Sequence, residues 1–385
     1  MQGTAPRPKK KKVRRFYDYS LLFTIIFLTV FGLIMIYSSS SYNAQVQDLP
    51  AYYFMKKQGM IALVGFGFML LISKIDYHLF SKFTALAMLL SHVCMFLVNY
   101  TPLGIAVNGK KRWLGVGAAR FQPTEMVKIT IILVLAVMLT KQGKKINSLK
   151  TALMTVAVFL PLTFMVTTNN LSSGIIICGI IFTMMFIVCD KKMPFALIAG
   201  FGGVIYVTTP MLVNYIEKIG LLQDYQLSRI HVWINPEAYP LEGGYQVLQG
   251  LYAIGSGGLL GKGLGQSIQK LSFLPEPQND MIFAIICEEL GLFGAVSVIL
   301  IFLFMIYRFL LIAGNAPDLF GALLVVGVMA HIAVQVVLNI AVVTNVIPNT
   351  GITLPFISYG GTSVLFLMLE MGMVLSVSNQ IKLEK

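Results

Sequence analysis

Asp280 stands where a long polar segment gives way to an apolar run. The segment closes on LPEPQND, Leu274 to Asp280, and the chain continues MIFAII. A carboxylate at a membrane–water boundary is well placed to handle a polar headgroup that a lipid tail carries. The residues leading up to it are rich in Gly, Gln and Lys. Among them Lys262 and Lys270 offer ammonium groups that suit phosphate.

A basic and aromatic patch, Lys110, Lys111, Arg112 and Trp113, lies in a second loop, 101–121. Topology disfavours cations on the outer side of a membrane, so cations kept there need a reason. One reason is an anion such as a pyrophosphate, held by the basic groups with Trp113 at the interface. The other is anchoring to anionic lipid headgroups, and the residues alone leave both open.

Glu125 and Lys128 are three apart and share a helix face. Ionisable side chains inside a bilayer face a cavity or one another. The pair is therefore a structural ion pair or the lining of a polar cavity beside the site. Glu288 and Glu289 fall two turns into the apolar run after Asp280. Neighbours on a helix diverge by about 100°, which leaves Glu288 nearer the Asp280 face. These two, with Glu370, are expected mainly to hydrogen-bond between helices. The run GSGGLLGKGLG, Gly255 to Gly265, is not a phosphate loop. Ser256 and Gly263 stand where that motif needs Gly and then Ser or Thr. What remains is a flexible loop whose amides and Lys262 are available to phosphate.

Composition says what must position these groups. The 385 residues are 57% hydrophobic and 12% charged, against about 25% charged in soluble domains. A bilayer-crossing helix needs roughly 20 apolar residues. The chain reads as an all-α polytopic membrane protein with about ten transmembrane helices. They fall near 19–40, 58–74, 82–100, 122–140, 149–168, 171–189, 194–214, 281–310, 318–344 and 358–379. Residues 1–18 form a basic cytoplasmic tail. Residues 19–385 form a single membrane domain with one large extracellular loop, 215–280. Ten spans return the C-terminus to the cytoplasm. The net charge of +13 sits in that tail and in short loops, so it reads as topology and not as nucleic-acid binding.

Within the large loop, YIEKIGLLQDYQLSRIHVWI carries Ile216, Ile219, Leu222 and Leu227 at helical spacing and reads as an interfacial helix. GGYQVLQGLYAIG begins as a short helix before the Gly-rich loop. Asn345 to Gly361, with Pro348 and Pro355, is an outer turn of fixed shape. Cys94, Cys178, Cys189 and Cys287 read as small buried hydrophobes, and the four histidines show no metal-binding spacing.

Three segments taken together resemble the SEDS family, the shape, elongation, division and sporulation proteins of bacteria. They are GKKRWLGVGAARFQPTEMVK, GYQVLQGLYAIGSGGLLGKGLGQSIQKLSFLPEPQNDMIFAIICEELG and PNTGITLPFISYGGTS. The match runs in order over most of the chain, and TGITLPFISYGGTS favours the division and sporulation branches over the elongation branch. The resemblance implies a ten-span peptidoglycan glycosyltransferase in the bacterial cytoplasmic membrane. Such an enzyme polymerises lipid II, the undecaprenyl-pyrophosphate-linked disaccharide-pentapeptide, outside the membrane. It works with a class B penicillin-binding protein among other division proteins.

The family's essential Asp falls on Asp280, its Arg-Trp motif on Arg112 and Trp113, and its Gln-Pro-Ser-Glu-x-x-Lys motif on Gln122, Pro123, Thr124, Glu125 and Lys128. A divalent cation, Mg or Mn, bridging the phosphates and bound mainly by their oxygens would need few protein ligands. One position departs from the pattern. Relatives carry Asp in a Pro-Asp-Leu-Gly-Thr-like motif, and NNLSS, Asn169 to Ser173, offers Asn170 there instead. Two other readings compete: a lipid II flippase, which suits polar residues inside spans, and a scaffold, which predicts that Asp280 is freely replaceable.

Overall fold

The computed structural model describes residues 14–107, 110–116, 119–220 and 224–383. Helix α1, Tyr19–Val46, starts where Asp18 caps it by accepting from the Leu21 amide at 2.9 Å. Then follow α2, Tyr53–Ile72, the short α3, His78–Lys82, and α4, Thr84–Tyr100. Helix α5, Pro123–Gln142, opens with proline in its first turn, where the missing N–H costs nothing. Helices α6, Leu149–Ala157, and α7, Leu160–Thr167, are bent by 46° from one another. Pro161 next to the junction removes a ladder donor. Helix α8 is Leu171–Val188 and α9 is Met193–Ile219. Helices α10, Asp224–Ile234, and α11, Gly244–Gly257, lie in the large loop. Helices α12, Ile282–Gly314, α13, Leu319–Val343, and α14, Thr362–Gln380, complete the bundle.

Among the described residues, eight helices are long and apolar enough to cross a bilayer, and the bent α6–α7 pair makes a ninth. Helix α4 is apolar but only 17 residues long. Each of the ten expected positions thus holds a helix. Helix α13 is the most enclosed and packs on α5, α8, α12 and α14, while α14 also packs along α2. Helix α9 stands largely exposed and packs mainly on α10.

Two expectations are corrected. The 101–121 loop contains an antiparallel sheet of β2, Gly104–Val107, β3, Lys110–Val116, and β4, Ala119–Phe121. This sheet lies flush on α4: a Cβ on Gly104 would sit 2.1 Å from the Val98 carbonyl. The expected interfacial helix is divided. Its first part continues α9, which ends at Gly220 with φ +66°, a backbone that favours glycine. Leu222 lies outside the described residues, and α10 then buries Leu227. Residues 1–13 of the basic tail also lie outside the described residues. Arg14–Arg15 form β1, paired antiparallel with β5, Lys382–Leu383, so these two strands sit together on one side of the bundle.

Candidate active site

Helix α12 is broken at Gly291, whose φ of 67° no other residue type adopts without strain. The break frees carbonyls before it and amides after it, and buried backbone groups need partners. The Gly-rich segment supplies them. Lys262 and Gly263 amides donate to the Glu288 and Glu289 carbonyls at 2.9 Å each, and the Leu292 amide donates to the Gly258 carbonyl at 2.9 Å. A Cβ on Gly291 would lie 2.3 Å from the Gly261 nitrogen. The segment expected to be flexible is thus stitched to the helix.

The same segment binds the two glutamates. Glu288 accepts from Lys262 Nζ at 2.7 Å, from the Ile268 amide at 3.1 Å and from the Gln269 amide at 3.3 Å, and from the Ser267 hydroxyl. Glu289 accepts from Lys270 Nζ at 2.9 Å and from Ser38 Oγ of α1 at 2.6 Å. Lys262 and Lys270, expected to hold substrate phosphate, hold internal carboxylates in this structure. Glu288, expected to lie nearer the Asp280 face, instead anchors the loop. The helix-face argument does not reach Asp280, because α12 begins only at Ile282.

Asp280 is 8% exposed. Burial, with the charge of Glu276 adding to it, pushes its pKa up to about 6. Its own amide, the Met281 amide and the Arg229 guanidinium act in the opposite sense. The Asp280 backbone carbonyl accepts from Asn339 Nδ2 at 2.9 Å. Facing the carboxylate is the Asn345–Gly361 segment: a Cβ on Gly351 would lie 3.9 Å from Asp280 Oδ2.

Side chains from four helices hold that segment by its backbone. Arg229 and Trp233 of α10 donate to the Asn349 and Asn345 carbonyls, and Ser172 of α8 to the Thr350 carbonyl. Asn339 and Gln335 of α13 donate to the Ile352 and Thr353 carbonyls at 2.7 and 3.0 Å. Gln58 of α2 accepts from the Gly361 amide at 3.2 Å. Tyr359 donates its amide to the Gln278 carbonyl at 2.9 Å, which closes the segment onto the Asp280 loop. The expected fixed shape has this physical basis.

The basic patch lies on β3. Arg112 Nε donates to the Asn169 carbonyl at 3.1 Å, and Lys111 Nζ to the Thr101 carbonyl at 3.2 Å. Trp113 pairs with Ile105 in the sheet and is half-buried. Asn170 caps α8 through the Ser173 amide at 3.2 Å, a role its amide oxygen fills without a charge. The start of α8 therefore joins Arg112 on one side to Thr350 on the other, next to Gly351 and the Asp280 carboxylate.

Glu125 and Lys128 form a buried ion pair at 2.9 Å. Lys128 also reaches Gln335 Oε1 at 3.4 Å, which His331 Nε2 meets at 2.9 Å. His331 Nδ1 lies 2.7 Å from Glu370 Oε2. This buried chain ties α5, α13 and α14 together. His331, Gln335 and Asn339 lie on α13 within a span. Their spacing of four, a polar stripe in an apolar run, is the signal that marks them. Among the described residues no group of three or more His, Cys, Asp or Glu could hold a metal ion. The described residues therefore offer no protein cage for a cation.

Fold and site together define a polytopic helical membrane protein whose loops converge on one buried carboxylate. The family model described as cell cycle protein, covering FtsW, RodA and SpoVE, matches residues 19–383, and the chain belongs to this family, the SEDS proteins. It is 37% identical to stage V sporulation protein E of Bacillus subtilis over 93% of this chain and 95% of that one. It is 34% identical to the probable peptidoglycan glycosyltransferase FtsW of the same organism, over 97% and 93%. Its fold matches a chain from a solved peptidoglycan synthase complex with a TM-score of 0.77 at 23% identity, over 95% and 98%. It also matches the rod shape determining protein RodA of Thermus thermophilus with a TM-score of 0.68 at 20% identity, over 95% and 97%.

Proposed function

We propose that this chain is a peptidoglycan glycosyltransferase that polymerises lipid II into β1,4-linked glycan, with Asp280 as general base. The observation that carries this reading is the buried Asp280 carboxylate, with its pKa pushed up to about 6, facing a segment held by side chains of four helices. A base works best when its pKa lies near the working pH. Asp280 takes the proton from the acceptor's 4-hydroxyl as that oxygen attacks the anomeric carbon of the donor sugar. The bond from that carbon to the pyrophosphate breaks on the opposite face, which inverts the α-linked donor to a β linkage. Arg112, with Lys111 beside it, meets the charge that develops on the leaving diphosphate.

A divalent cation such as Mg or Mn, held by the diphosphate oxygens themselves, would add charge at the same place. Chelator titration of the activity tests that part. The basic tail and the pairing of β1 with β5 support a cytoplasmic location for both termini in a bacterial cytoplasmic membrane. Family membership supports a class B penicillin-binding protein as partner and a role in division, with sporulation or elongation as the alternative duty.

Polymerisation of lipid II by the purified chain with its transpeptidase partner is the test. Glycan strands should lengthen with wild type and not with Asp280→Asn. The buried Glu125–Lys128–Gln335–His331–Glu370 chain favours one rival, a flippase. Headgroup crossing without glycan growth would identify it.

A further inference from the structure

We propose that Asn339 is a positioning residue for glycan formation: its amide ties the Asp280 and Ile352 carbonyls together and so fixes the base against the segment it faces. This rests on the assignment of the base to Asp280. Asn339 is wholly buried on α13 and stands third in the stripe His331, Gln335, Asn339. Its Nδ2 donates to the Asp280 carbonyl at 2.9 Å and to the Ile352 carbonyl at 2.7 Å. An amide nitrogen carries two hydrogens, so both are used. The orientation is not ambiguous, because a flipped amide would press oxygen against two carbonyl oxygens.

The two carbonyls belong to the two walls of the site. One is the peptide of Asp280 itself. The first turn of α12 closes on Met281, whose carbonyl accepts from Ala284 at 3.0 Å, and the Asp280 carbonyl goes to a side chain. The other is the carbonyl of Ile352, the residue after Gly351, where an added Cβ would lie 3.9 Å from Asp280 Oδ2. One turn deeper, Gln335 repeats the device. It donates to the Thr353 carbonyl at 3.0 Å, and its oxygen receives His331 at 2.9 Å and Lys128 at 3.4 Å. His331 is held in turn by Glu370 at 2.7 Å, and Lys128 by Glu125 at 2.9 Å. The charges that bear on the Asp280 carboxylate itself are Glu276 and Arg229.

A displacement of about 1 Å at a reacting group costs up to about 100-fold in rate, so loss of this clamp should appear in turnover. Wild type, Asn339→Asp, Asn339→Leu, Asn339→Ser and Asp280→Asn, each as full chain with its transpeptidase partner, are compared in lipid II polymerisation across substrate concentration and pH. Asn339→Asp should lower kcat by about 10- to 100-fold with KM within about twofold. Its added carboxylate should also move the acid limb of the pH profile to higher pH, because a like charge disfavours ionised Asp280. Asn339→Leu should lower kcat without that movement, and Asn339→Ser, which keeps one donor, should fall between.

A folded Asn339→Asp variant with wild-type kcat and acid limb overturns the proposal. If that variant does not fold, wild-type kcat in the smaller Asn339→Ser overturns it instead. An active Asp280→Asn removes the base assignment itself, whereas an inactive Asp280→Asn beside a fully active Asn339→Asp removes only the clamp.

Discussion

Lys270 and Glu289 meet at 2.9 Å with their side chains 7% and 0% exposed, and Ser38 of α1 touches both. This contact joins the Gly-rich loop, α12 and the first span at one buried point. It explains why a loop so rich in glycine is nonetheless held on the protein. It also explains why its lysine is not on the surface to meet an incoming anion.

Removing one partner leaves the other charge buried and uncompensated. Glu289→Ala should therefore destabilise the protein by about 3–5 kcal/mol. The double variant Lys270→Met with Glu289→Gln should lose less than either charge removed alone. Thermal melting in detergent, arranged as a double-mutant cycle, measures this.

Asp280 links activity and stability through pH. Its folded pKa of about 6 lies above its ordinary value of 3.8. The folded state thus binds more protons than the unfolded one between these values, so stability falls as pH rises through that window and stays lower above it. Asp280→Asn should be inactive yet more stable than wild type at pH 7, by about 3 kcal/mol. In wild type, polymerisation should rise with pH through an acid limb near 6. Melting curves and pH–rate profiles check both signs.

Arg112→Ala should lower kcat/KM for lipid II by about 10- to 100-fold, the size of a lost charge-assisted hydrogen bond. Partner binding should not change. Arg112→Lys should recover only part, because a lysine lacks the planar fork. Equal lipid II use by Arg112→Ala and wild type would mean that the patch anchors to lipid headgroups instead.

Gly291→Ala should disrupt the loop as well as the helix. The added methyl would lie 2.3 Å from the Gly261 nitrogen and 2.5 Å from the Leu259 carbonyl oxygen at a φ of +67°. The expected outcome is faster proteolysis within 258–270 in a protein whose helical content by circular dichroism is nearly unchanged.

On the opposite side from Asp280, His78 bridges two aspartates, 2.7 Å from Asp76 and 2.9 Å from Asp318. Burial opposes protonation, but the bond to Asp76 and the charge of Asp318 hold the imidazolium above the ordinary histidine value of 6.5. Its contribution to stability is therefore complete below 6.5 and is lost as pH rises through the raised value. His78→Phe should flatten the dependence of melting temperature on pH above 6.5. The side chain is half exposed, so the effect should be small and weakened by salt.

Ionisable residues in apolar runs stand out in any reading of a sequence, and Asp280, Glu125 and Lys128 were legible for that reason. The helices were legible because a bilayer sets their length. The partners of Lys262 and Lys270 were not, since a broken helix at Gly291 re-aims Glu288 and Glu289 in a way that regular periodicity cannot express. Asn339 and Gln335 were hidden for another reason. A neutral amide costs a span little in hydropathy, and its role is defined by two carbonyls far away in the chain. The sheet at 104–121 escaped notice because its strands are short and lie among charges.

The pairing of Arg14 with Leu383 has a bearing on biogenesis. The strand partner of Arg14 and Arg15 does not exist until the ribosome has made Lys382 and Leu383. Every span can insert beforehand, but this small clasp, with the Phe16 amide on the Ile381 carbonyl at 3.0 Å, is fastened only after α14 has been made. Loss of Lys382 and Leu383 would leave Arg14 and Arg15 untied.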